Sequence, residues 1–176
     1  MHRCEECRFE YATEDQASIP ERLRTLSRRY GAPLTRFLPG EDGLALLRSH
    51  PVTGAWSGLE YACHVRDVLE VQLGRVERAL AEDRPTFEPM RREERVLELA
   101  YDEQDPVEVV AAVAANGDAL ATAFEALDGD QWDRPVVYSF PKPWERSLLW
   151  VGQHTVHELH HHLLDVGRTL RAARGR

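Results

Sequence analysis

Between positions 154 and 162 the chain reads His-Thr-Val-His-Glu-Leu-His-His-His, so five of its eight histidines fall within nine residues. Imidazole is a ligand for zinc, nickel, copper and iron alike. On a helix, side chains four apart share one face, with Cβ atoms about 5–6 Å apart. His157 and His161 have this spacing, and so do Glu158 and His162. Either pair can place two donors on one divalent ion. A third donor must then come from a facing helix, and His64 is the mid-helix histidine outside the cluster. Three protein ligands with open positions describe a catalytic metal site rather than a structural one. Such an ion lowers the pKa of bound water or thiol and polarises an oxygen. Glu158 and Asp165 lie beside the His157–His161 stripe, where a carboxylate can fix the tautomer of a ligand histidine. Trp150 and Arg168 fall on the same stripe and are candidates to cap the site and to hold an anionic substrate. The literal string H-E-x-x-H at 157–161 also occurs in zinc proteases, but it is short and no protease-sized scaffold surrounds it.

Two cysteine features stand apart from the cluster. Cys4-Glu-Glu-Cys7 is half of a zinc-ribbon or redox motif. A structural zinc needs two more ligands, and His2 and Cys63 are the soft candidates left over. A thioredoxin-type site needs a βαβ context, which the pattern lacks, so these read as reduced thiols in a mobile leader. Cys63 points into the apolar side of its helix and reads as a small core residue.

The elements that carry these residues are helical. Residues 1–19 form a polar, irregular leader. A first helix follows Ile19-Pro20, with Leu23, Leu26 and Tyr30 at helical spacing. Ser57-x-x-Glu60 is a capping box, after which Leu59, Ala62, Val65, Leu69, Leu73, Val76 and Leu80 trace a helix of roughly 24 residues. Asp105-Pro106 starts a third helix, carrying apolar residues to Leu127. Pro135, Pro141 and Pro143 exclude a long helix between them, and Val136-Val137-Tyr138 suits a short strand. A last helix is expected over about Glu145–Arg171. Four helices in one domain of 176 residues read as an all-α four-helix bundle, whose sites are built from facing helices.

Composition narrows the function. Lys+Arg is 22 and Asp+Glu is 30, a net charge of −8, which disfavours a nucleic-acid binder. No transmembrane span or signal peptide is expected, and three cysteines without a secretion signal point to the cytoplasm. The partners expected are a small molecule and a second copy of the chain, since long helices around a modest core favour pairing.

Taken together, these motifs resemble the DinB-like (DinB/YfiT) superfamily of metalloenzymes, and most closely its actinobacterial-type members that open with C-x-x-C-x-F. The resemblance rests on Trp56-Ser57-x-x-Glu60-x-x-x-His64-x-x-Asp67, on Gln131-Trp132-Asp133-Arg134-Pro135, and on His157-Glu158-x-x-His161-His162-x-x-Asp165-Val166. It implies an up-down-down-up bundle, often homodimeric. It also implies a divalent metal, commonly nickel or zinc, held by three histidines: here His64, His157 and His161. One branch, the mycothiol-dependent isomerases, uses a glutamate and a histidine four apart, which would be Glu158 and His162. The more frequent three-histidine pattern favours the first register. For activity, the resemblance implies thiol-dependent S-transfer or isomerisation with mycothiol or bacillithiol. A metal-dependent hydrolase or a non-catalytic metal or small-molecule sensor is the alternative.

Overall fold

The computed structural model describes residues 3–139 and 142–175. His2 and Pro141 lie outside them. In chain order the helices are α1 (Ser18–Arg29), α2 (Gly31–Thr35), α3 (Gly43–Arg48), α4 (Gly58–Ala81), α5 (Arg92–Glu98), α6 (Pro106–Glu125) and α7 (Leu148–Ala173). Three short strands, β1 (Thr86–Phe87), β2 (Pro135–Tyr138) and β3 (Trp144–Ser147), form one small sheet in the order β1-β2-β3.

The long helices start where their caps dictate. The Ser57 hydroxyl accepts from the Glu60 amide at 3.2 Å, and the Glu60 carboxylate accepts from the Ser57 amide at 2.7 Å. Asp105 accepts from the Val107 and Glu108 amides, ahead of Pro106 in the first turn. Such caps contribute about 1 kcal/mol each. α4 packs on α6 and α7, and α1 packs on the same two helices. Leu23, Leu26, Leu59, Leu69, Val113, Leu120, Phe124, Val151 and Leu159 fill the space between them. Gly152 lets α7 approach α1, because a Cβ there would meet Ile19 Cδ1 at 2.9 Å. Tyr30 donates to the Leu159 carbonyl at 2.8 Å inside the core and ties α1 to the middle of α7. By length and composition α6 could cross a membrane, against the expectation above, with a window hydropathy of 1.4. Its Val109, Val113, Leu120 and Phe124 are buried in the bundle.

Three expectations need correction. The fold is mostly helical rather than purely so: β2 and β3 pair antiparallel from Pro135–Ser147 to Tyr138–Trp144. That pairing takes residues 144–147 away from the last helix, which begins at Leu148 behind the Ser147 cap, where the hydroxyl accepts from the Trp150 amide at 3.3 Å. Third, residues 3–17 are not a loose leader. Phe9, Tyr11 and Glu14 are buried, Cys4 donates its amide to the Phe9 carbonyl at 2.8 Å, and Gln153 of α7 donates to the Glu14 carbonyl at 2.9 Å. The alternating aromatics at 9 and 11 give the segment an apolar edge that α7 covers.

Candidate metal centre

α4 and α7 face each other along the bundle, and the buried histidines sit where they meet. His64 projects from the second turn of α4. Across from it on α7, Glu158 and His162 stand one turn apart. The donor atoms of these three residues all lie within 4.8 Å of one another. Glu158 Oε2 is 3.9 Å from His64 Nε2 and 3.6 Å from His162 Nε2. Bond lengths near 2.1 Å with tetrahedral or trigonal angles would put such donors about 3.4–3.6 Å apart. The three residues therefore fit one divalent ion after small side-chain rotations.

Aromatic rings pack against both imidazoles. Trp56 meets the His64 ring edge-on at 5.1 Å, and Tyr61 stacks on His162 at 5.4 Å. His162 Nδ1 is 3.0 Å from Asp165 Oδ2, so the carboxylate fixes the tautomer that leaves Nε2 free to coordinate. His64 Nδ1 is buried without a hydrogen-bond partner among the described residues. The other nitrogen, Nε2, is the one turned toward Glu158 and so the one placed to coordinate.

The charges point the same way. Burial opposes the charge on Glu158, but hydrogen bonds from His157, His162 and His64 outweigh it and hold the carboxyl well below its ordinary range. Burial also opposes protonation of His162, yet Asp165 and Glu158 lift it to about 9. The negative charge that favours a proton on His162 would also favour a metal cation in its place. Burial pushes His64 down, which keeps its lone pair available.

Glu158 and His64 open onto a cavity of about 670 Å³. Its walls mix apolar side chains such as Val68, Phe87 and Tyr138 with charges of both signs, Arg75 and Arg92 among the cations and Glu93 and Glu94 among the anions. The Arg75 guanidinium lies 4.9 Å over the Tyr138 ring and donates to the Glu88 carbonyl at 2.6 Å.

The register favoured from the sequence, His64 with His157 and His161, is not the one brought together. α7 presents residues 158 and 162 to α4, and residues 157 and 161, 100° around the helix, to the leader. There His157 and His161 lie with Cys4 and Cys7, all four donor atoms within 4.8 Å. Asp165 lies beside His162 and His161, and Glu158, expected in support, falls among the clustered donors. Of the two substrate candidates, Arg168 is directed away from the cavity, bonding Asp165 Oδ1 at 3.0 Å and the Glu6 carbonyl at 3.4 Å. Trp150 does not line the cavity but stacks on His154, which does, at 4.7 Å. Cys63 is core, as expected: its thiol faces the Tyr101 carbonyl, and burial pushes its pKa up to about 12. Sequence reasoning missed Tyr61, Tyr138 and Arg75. Tyr61, one turn before His64, was legible in principle. Tyr138 reaches the site only through the β2–β3 pairing, which no local pattern specifies.

The profile of the DinB superfamily matches residues 41–166. The chain belongs to the DinB superfamily. The matched span carries His64, Glu158 and His162 but excludes Cys4 and Cys7. Among solved structures, this DinB chain is similar to YfiT from Bacillus subtilis, described as a probable metal-dependent hydrolase with an unusual four-helix bundle topology. The TM-score is 0.74 at 16% identity, covering 87% of this chain and 86% of that one, a likeness of fold. No curated protein matches the chain.

Proposed function

We propose that the protein is a metal-dependent enzyme acting on a small, anionic or amphipathic substrate, with a divalent ion held by His64, Glu158 and His162. The observation that carries the reading is the convergence of these donors beside a cavity that opens to solvent. Zinc or nickel suits two imidazoles and one carboxylate. A bound ion would supply Lewis acidity, lowering the pKa of a coordinated thiol or water. The chain's own residues do the rest. Asp165 fixes the His162 ring through Nδ1, and Trp56 and Tyr61 keep both imidazoles aimed at one point. The apolar walls exclude water and receive a carbon skeleton. Arg75, held over Tyr138, offers positive charge to a carboxylate.

Within this reading the reaction is thiol-dependent S-transfer or isomerisation, with a low-molecular-weight thiol of the mycothiol or bacillithiol type as co-substrate. The cavity has room for such a thiol beside an electrophile, and the glutamate–histidine pair is the one the isomerase branch uses. Hydrolysis is the second reading, favoured by the description of YfiT. An up-down-down-up bundle, a homodimer and a cytoplasmic setting complete the proposal. The test mixes metal-loaded protein with a labelled electrophile, with and without thiol. Thiol-dependent product above the protein-free rate is expected, and lost in His162→Ala. Turnover without thiol would establish the hydrolase instead. Saturable binding without product would replace both with a sensor.

A further inference from the structure

We propose that Cys4, Cys7, His157 and His161 form a second, structural zinc site that fastens the leader to α7. Two thiols and two imidazoles at C-x-x-C and i,i+4 spacing make a closed tetrahedral donor set, the kind used by structural zinc. Soft thiolates with imidazoles favour zinc over magnesium or calcium. The four donor atoms lie within 4.8 Å of one another, although Cys4 and His161 stand 157 residues apart in the chain. Cys4 Sγ is 3.7 Å from His161 Nδ1. Zinc–sulfur and zinc–nitrogen bonds of ordinary length place such a pair about 3.6 Å apart.

The surroundings of both imidazoles are those of ligands. His161 turns its other nitrogen, Nε2, to Glu6 Oε2 at 3.2 Å and Asp165 Oδ2 at 3.4 Å, so carboxylates fix the tautomer that leaves Nδ1 for the metal. His157 Nδ1 faces the Tyr11 hydroxyl at 3.2 Å, and its Nε2 is buried without a hydrogen-bond partner among the described residues. The leader is shaped to present the sulfurs: the Cys4 amide bonds the Phe9 carbonyl across a turn, with Arg8 held at a φ of 59°. Binding releases the two thiol protons, and two thiolates with two neutral imidazoles balance the charge of the ion. The fastened leader then holds Tyr11 against His154 and His157, beside Glu158.

Cobalt(II) distinguishes this site from the one beside the cavity, which has no sulfur. Cobalt-loaded wild-type protein should bind about two ions per chain and show a thiolate-to-cobalt charge-transfer band in the near ultraviolet. The band should persist in His162→Ala and vanish in the Cys4→Ser/Cys7→Ser double variant, which keeps the other ion. In unmodified protein, zinc should slow alkylation of Cys4 and Cys7 at least tenfold. Absence of the band at saturating cobalt in wild-type protein, or alkylation rates unmoved by zinc, would overturn the proposal. Both readouts use the wild-type chain, so a misfolded variant cannot mimic either result.

Discussion

The two sides of α7 each carry a pair of donors four residues apart, Glu158 with His162 and His157 with His161, and differ in what stands opposite. Toward α4, Glu158 and His162 meet one more imidazole and a cavity. Toward the leader, His157 and His161 meet two thiols, with Phe9 and Tyr11 packed over them. The first side gathers three donors, the second four. One helical repeat thus supplies two donors to each group, and in the reading proposed above the facing segment decides whether they serve chemistry or fastening. Asp165 belongs to both: its Oδ2 approaches His162 Nδ1 at 3.0 Å and His161 Nε2 at 3.4 Å.

Single substitutions break this comparison most sharply. His162→Ala should weaken metal binding at the cavity site by more than about 100-fold, beyond the loss expected for removing an outer partner. His161→Ala should leave that site within a few-fold of wild type; metal content by mass spectrometry, with activity, reads both. Asp165→Asn keeps every ligand but loses the carboxylate that orients two rings. Its metal affinity should fall by about 10–100-fold, measured by competition with a chelator, and by more at the cavity side, where the contact is shorter. Tyr11→Phe should destabilise the leader by about 1 kcal/mol, seen as faster proteolysis before α1, and leave cavity-side metal binding unchanged. The smallest effect concerns the third thiol. With its pKa pushed up to about 12, the ionised fraction of Cys63 at pH 9 is about one in a thousand. Alkylation of folded, metal-free protein up to that pH should therefore mark Cys4 and Cys7 and spare Cys63, as peptide mapping would show.

Much of the fold was legible because its signals are local. The Ser57–Glu60 capping box and the Asp105-Pro106 start placed α4 and α6 within a few residues, and the apolar stripes identified the four bundle helices. The start of α7 was misplaced because β3 is stabilised by β2, a partner that its own four residues do not announce. At the site, the residue types and His64 were readable from spacing, but the register was not. Residues 157 and 158 are neighbours on one helix, and which faces α4 depends on how α7 is rotated in the packed bundle. Cys4 and Cys7 looked incomplete for the same reason: the histidines that lie beside them are at the far end of the chain, and only tertiary structure brings them together.

The central claim, that His64, Glu158 and His162 hold one ion beside the cavity, is tested most directly by anomalous diffraction at the metal edge from crystals of metal-loaded protein. A peak about 2.0–2.2 Å from His64 Nε2, Glu158 and His162 Nε2 is predicted. A peak shared by His64, His157 and His161 would contradict it, as would density at the thiol side alone.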